Sequence, residues 1–278
     1  MVQYNIINIC IDILYFIFDY LSFIDKLKTK IACKKTNQLT IKDLTDLQPC
    51  LISKINVDIL KNYPHVTKLR MYAKENIDIS FLKELKYLSI TRCFKIEQFI
   101  IINIDNFSQL ETLNVEYVRI ICTKTIPSLK KLSIHGNCIG IESFNFLKLE
   151  SMIIYFNDEI TDLNRMLSLK ELEIIGESKI NNNGINKLNL KSLYLEDNEQ
   201  ITDLNHQTSL KELMLYGSSK IDDLGIKDLK LKSLTIHTDN DEELITDLNQ
   251  MTTLKSLSIP TMSSIKYEKL KLKEFIEL

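Results

Sequence analysis

The chain has 278 residues, 45% of them hydrophobic, and sets 35 lysines and arginines against 37 aspartates and glutamates for a formal net charge of −2. This is enough apolar mass for a sizeable core, and the even balance leaves no net field to gather phosphates, which speaks against a nucleic-acid binder. The six cysteines (Cys10, Cys33, Cys50, Cys93, Cys122 and Cys138) form no C-x-x-C pair and have no histidine at ligand spacing, so reduced thiols of a cytoplasmic or nuclear protein are expected, with no metal and no cofactor.

Residues 6–24 are almost wholly apolar, but Asp12 and Asp19 interrupt the run, and it carries neither a basic leader nor a small-residue cleavage site. A buried amphipathic helix is expected there rather than a membrane span. Ile9, Ile13, Ile17 and Leu21 recur at helical spacing, with Leu14 and Phe18 beside them. Ser22 then stands as an N-cap with Asp25 three residues on, and Phe23, Leu27 and Ile31 continue a second stripe to Cys33. Thr40 predicts a cap for a third short helix through Ile41, Leu44 and Leu47, ending before Pro49.

The run from Ile13 through Phe18, Tyr20-Leu21, Asp25 and Leu27 to Ile31-Ala32-Cys33-Lys34 and Asn37 resembles an F-box. The family's leading Leu-Pro is replaced by Ile9-Cys10, and Thr36 stands at its usual aromatic position. The resemblance implies that residues 1–48 form a small helical segment that binds a Skp-family adaptor of a cullin ubiquitin ligase, through Ile13, Leu14, Ile17, Phe18, Leu21 and Leu27. Read from the residues alone, the same apolar helices serve equally as a cap over the open end of the core that follows.

From residue 49 onward a phrase of the form apolar-x-x-apolar-x-apolar recurs. It opens at Ile52 and Val66, then at Leu85, Leu110, Leu129, Leu149, Leu169, Leu190, Leu210, Leu231, Leu254 and Leu272. Residues 149–189 and 190–230 align without a gap as 41-residue units, each holding the phrase twice, so the true step is about 20 residues. Nine residues into a repeat stands Cys93, Asn137, Asn157 or Asn198, expected inside the coil, and twelve residues in stands an isoleucine. The pattern is similar to leucine-rich repeats, with Cys93 to Ile96 and Ile221 to Leu229 resembling the cysteine-containing type that often follows an F-box. The implied fold is an α/β solenoid: a leucine-rich-repeat horseshoe over residues 49–278, with parallel β-strands on its concave face. A helical turn in one half-unit should alternate with a tighter turn in the next. The longer stretches near 99–106 and 239–243 are expected as protruding loops, and the strand after Leu272 as an exposed edge.

Period-two alternation turns the residues between the inward leucines toward the concavity. Lys68, Arg70, Arg92 and Lys131 make its early part basic, and Glu171, Glu173, Glu196 and Glu212 make its later part acidic. Ile153, Tyr155, Glu173, Ile175, Tyr194, Glu196, Met214 and Tyr216 are the candidate partner-binding residues, an apolar and aromatic patch rimmed by carboxylates. His65, His135, His206 and His237 are scattered over separate repeats, and no nucleophile, phosphate loop or paired acid marks a catalytic centre. The expected protein is a non-catalytic interaction module, the substrate-recognition subunit that the F-box resemblance implies, monomeric outside its complex with adaptor and target. The alternative is a free-standing scaffold whose N-terminal helices only cap the solenoid.

Overall fold

The computed structural model describes residues 21, 25–26, 41–45, 57–92, 100–137, 147–239, 243–261 and 263–277. Among them, short strands alternate with tight returns. β1 (Asp43–Leu44), α1 (Val57–Leu60), β2 (Lys68–Ala73), β3 (Tyr87–Arg92), β4 (Ile100–Asn103), β5 (Thr112–Glu116), β6 (Val118–Ile121), β7 (Lys131–His135), β8 (Ser151–Tyr155) and β9 (Glu171–Ile175) are followed by α2 (Asn182–Ile185), β10 (Ser192–Asn198), β11 (Glu212–Ser219), α3 (Asp223–Ile226), β12 (Ser233–Thr238), β13 (Ser256–Ile259) and β14 (Glu274–Glu277). Twelve of the strands form one parallel sheet in the order β1-β2-β3-β5-β7-β8-β9-β10-β11-β12-β13-β14.

The register follows from the leucine step. Leu69, Leu88, Leu113, Leu132, Met152, Leu172, Leu193, Leu213, Leu234 and Leu257 stand side by side along the sheet, and every one of them is buried. Each return closes on the same bond pair: the Glu150 carbonyl accepts from Lys170 and Glu171, that of Lys170 from Lys191 and Ser192, and that of Lys191 from Lys211 and Glu212. Backbone groups of a strand only four or five residues long are thereby satisfied on both sides by its neighbours.

Asn157 is fully buried: its amide donates to the Gly136 carbonyl at 2.7 Å and its oxygen accepts from Glu159 at 3.1 Å and Ile160 at 2.9 Å. Asn198 accepts likewise from Gln200 and Ile201. In the alternate half-units a serine hydroxyl accepts from the amide of the buried isoleucine two residues on, at Ser178, Ser219 and Ser263. Gln207, 1% exposed, bridges the Ile185 carbonyl and the Leu190 amide. On the return path, Asn181 and Asp222 cap α2 and α3, and the half-units between them turn without a helix, the alternation that the doubled 41-residue unit predicts.

Several local expectations are corrected. Residues 41–44 are extended rather than helical, because Ile41 and Leu44 turn into the core and Asp43-Leu44 pairs with Lys68-Leu69. Val57, expected at the end of a strand, opens α1 instead. Residues 100–103 do not protrude: Ile100, Ile102 and Ile104 are buried, and β4 pairs with β6 in a second, two-stranded parallel sheet. Asn137 is at the surface, where it bonds Asp158, since the chain has already turned outward at Gly136. Glu243 holds Ser263 and Ser264 instead of facing open solvent. Cys122 is buried, its thiol donating to the Lys124 carbonyl at 3.1 Å, and the other five cysteines lie outside the described residues. No helix among the described residues is long and apolar enough to cross a membrane.

Asn157 and Asn137, equivalent by spacing, should behave differently. Asn157→Ala leaves buried backbone groups unpaired and should cost about 1–3 kcal/mol, whereas Asn137→Ala should stay within about 0.5 kcal/mol of the parent, as read from urea denaturation midpoints.

Candidate functional site

The outward residues of the same strands form three columns, the first running Lys68, Tyr87, Thr112, Lys131, Ser151, Glu171, Ser192, Glu212, Ser233 and Ser256. The central one runs Arg70, Ser89, Asn114, Ser133, Ile153, Glu173, Tyr194, Met214, Thr235 and Ser258. Beside it run Tyr72, Thr91, Glu116, His135, Tyr155, Ile175, Glu196, Tyr216 and His237. Neighbouring strands lie about 4.8 Å apart, so residues about twenty positions apart in sequence touch.

All eight concave residues singled out by sequence fall together on β8 to β11, each half-buried, because they pack on one another rather than project freely. Tyr194 and Tyr216 stack with ring centroids 5.2 Å apart and planes 23° off parallel, and Tyr216 stacks in turn on His237 at 5.5 Å and 15°. The Tyr194 hydroxyl donates to Glu196 at 2.6 Å. Burial first, and then that bond to a carboxylate, raise the Tyr194 pKa, and burial with the nearby Glu173 and Glu196 raises that of Tyr155. Burial, assisted by the like charge of Glu171, raises the pKa of Glu173.

Toward the N-terminal turns the face is more polar. A shallow groove of about 220 Å³ is lined by Ser89, Thr91, Asn114, Glu116, His135 and Tyr155. Asn114 donates to the Tyr87 hydroxyl at 2.9 Å, Thr91 donates to Glu116 at 3.0 Å, and Lys68 pairs with Asp43 at 3.3 Å. Of the six residues that the F-box resemblance assigns to an adaptor, Leu21 is half-buried and packs against the core, while Ile13, Leu14, Ile17, Phe18 and Leu27 lie outside the described residues.

Sequence reasoning missed the rim of this face. Just past the paired strand residues the backbone turns outward through positive φ in six successive turns: Tyr117 (53°), Gly136 (74°), Phe156 (46°), Gly176 (77°), Asp197 (53°) and Gly217 (62°). A larger residue alternates with glycine because each larger side chain lies across the next turn's backbone. A Cβ on Gly176 would stand 2.3 Å from the Phe156 ring, and one on Gly136 2.4 Å from Tyr117. The result is an aromatic rim in which His135 contacts Tyr117, Tyr155 and Phe156 at centroid distances of 5.5, 5.6 and 6.0 Å. Arg92 lies 5.5 Å above the Tyr117 ring, and Phe156 is 57% exposed. The available signal was the residue immediately after each outward column, which alternates large and glycine with the 41-residue unit.

Comparison with solved structures places this geometry among leucine-rich-repeat proteins. The chain is 19% identical to a chain in the crystal structure of a TLR13–ssRNA13 complex, over 74% of this chain and 33% of that one, with a TM-score of 0.53. It is 20% identical to an internalin (inlF) of Listeria monocytogenes, over 79% of this chain and 76% of that one, with a TM-score of 0.45. A leucine-rich-repeat protein of Leptospira interrogans is 17% identical, over 86% of this chain and 77% of that one, with a TM-score of 0.43. The chain spans about a third of the length of the TLR13 chain it resembles. No protein-family model and no curated protein matches. The fold is therefore a leucine-rich-repeat solenoid of parallel strands.

Because the folded state raises the Glu173 pKa, its ionised form opposes folding at neutral pH, and the protonated form is favoured below the unfolded-state value. Glu173→Gln should accordingly melt above the parent at pH 7, with the difference closing as pH falls to about 4, as read from thermal melts across that range.

Proposed function

We propose that this protein is a non-catalytic recognition scaffold whose concave face over β8 to β11 grips a protein partner. The observation that carries this reading is the stacked, half-buried patch of Ile153, Tyr155, Ile175, Tyr194, Met214 and Tyr216, which the solenoid does not need for its own core. Aromatic residues that present a large rigid area at small entropic cost are the usual anchors of a protein contact. The RNA in the TLR13 complex raises nucleic acid as another occupant, but the twelve outward residues of β8 to β11 include four glutamates and no lysine or arginine. Such a face repels phosphates.

At the other end, the F-box resemblance supports a Skp-family adaptor docked on Ile13, Leu14, Ile17, Phe18, Leu21 and Leu27. The protein would then bring its target to a cullin ubiquitin ligase by proximity, with no chemistry of its own. A second reading is favoured by Leu21, whose packing against the core is what a capping segment does. In that reading the chain is a free-standing scaffold.

The two separate by co-purification from a eukaryotic cytosol. If the adaptor reading holds, Leu14→Asp combined with Phe18→Asp removes the Skp-type adaptor while the β-sheet signal in circular dichroism is retained. An adaptor that is absent from the parent, or that still co-purifies with the double variant, overturns it. For the concave patch, Tyr194→Ala with Tyr216→Ala should lower partner affinity at least tenfold and destabilise the fold by no more than the loss of two ring stacks and their part-buried packing, about 2–4 kcal/mol. A larger fall in the melt would make the two rings primarily structural.

A further inference from the structure

Resting on the concave-face reading, the charge of that face identifies its occupant. The carboxylates of Glu171, Glu173 and Glu212 have no hydrogen-bond or ion-pair partner among the described residues, and that of Glu196 is engaged only by the Tyr194 hydroxyl. Four lysines of these turns are directed elsewhere: Lys179 pairs with Asp158 and Lys220 with Glu199, while Lys170 and Lys211 donate to the loop carbonyls of Asn189 and Lys230. Glu173 therefore sits half-buried and uncompensated in its column, between Ile153 and Tyr194. A carboxylate held this way is satisfied by a cation that tolerates partial desolvation and has an apolar face of its own.

The rings beside it narrow the choice. Tyr194, Tyr216 and His237 form a nearly parallel stack whose end ring, Tyr194, stands next to Glu173 in register. Guanidinium extends such a stack on its end ring and pairs a carboxylate through two parallel N–H groups, whereas an ammonium is a strongly hydrated point charge. The molecule already shows the ring half of this packing once, in Arg92 above the Tyr117 ring. We propose that the partner segment held by β8 to β11 is an extended, arginine-bearing peptide, with one guanidinium laid against the Tyr194 end of the ring stack and paired to Glu173. An extended chain crossing the strands meets a new turn about every 4.8 Å, so further basic residues on the same peptide reach Glu196 and Glu212.

The test is selection of a displayed random dodecapeptide library on the full chain, with counter-selection on Tyr194→Ala/Tyr216→Ala. Peptides that bind only the parent should be enriched in arginine. A synthetic representative should weaken at least tenfold against the near-isosteric Glu173→Gln, at least threefold when its arginines become lysines, and by less than twofold against Glu268→Gln, a distant exposed control. Parent-specific peptides without arginine, or an arginine peptide indifferent to Glu173→Gln, would overturn this inference and leave the concave docking face standing. If no peptide distinguishes the parent from the double tyrosine variant, or if a 13-mer oligouridylate displaces the selected peptide as well as the peptide displaces itself, both readings fall. Circular dichroism melts of each variant confirm that the comparisons are made on folded protein.

Discussion

The structure depends on one constraint: a turn of about twenty residues carries too few inward side chains to bury them alone. Leu193 and Leu195 are covered only because Leu172 and Ile174 lie on one side and Leu213 and Leu215 on the other. Each buried side chain is worth roughly 1.5–3 kcal/mol, and that gain is realised only when neighbouring turns are in place. The parallel sheet, the repeated bond pair at every return and the buried asparagines and serines are consequences. Each lets identical turns approach to strand-pairing distance without leaving a backbone group unpaired.

That constraint also shapes the proposed binding surface. Inward positions must be leucine, isoleucine or a near equivalent, but the residues between them are released from the packing problem and still held in fixed register. Glu173 sits between Leu172 and Ile174, and Tyr194 between Leu193 and Leu195, so burial of the leucines positions the carboxylate and the ring without either contributing to the core. The rim follows the same logic with the opposite sign: there the backbone leaves the sheet through positive φ, and a large side chain on one turn requires glycine on the next.

How much of this was legible in the sequence follows from how local each determinant is. The strand positions, the inward columns and both concave columns were readable, because leucine spacing and period-two alternation are set within a few residues of one chain. Ile41–Leu44 was misread as helical because a cap and apolar spacing are local signals, while the pairing of Asp43-Leu44 with Lys68-Leu69 is a contact across more than twenty residues. Ile100, Ile102 and Ile104 read as part of a loop because the length of that stretch breaks the step, although the apolar run from Ile100 to Ile102 and the alternation of Ile102-Asn103-Ile104-Asp105 suit a buried strand. The turn-forming serines escaped notice because a hydroxyl two residues before the isoleucine does the work of an asparagine three residues before it. Phe156 and Tyr117 were missed because positive φ is not a property expected of an aromatic residue.

The local costs are not spread evenly along the coil. Tyr117, Phe156 and Asp197 each hold a left-handed backbone that a residue with a Cβ adopts at a cost of order 1–3 kcal/mol, and Glu173 carries a charge that burial disfavours. All four lie within the turns from β5 to β11, the same turns that carry the ring stack and the unpaired carboxylates. A solenoid can tolerate such a concentration, since each turn is supported chiefly by its two neighbours and the turns with the strained rim also hold the well-covered leucines and the fully bonded Asn157. The strain is held by the neighbouring turns, whereas uncompensated charge on one side of a well-packed spine is relieved most directly by a cation laid against that side. In the binding surface proposed above, Phe156 and Tyr155 of the rim and columns would form its wall and Glu173 its charged floor.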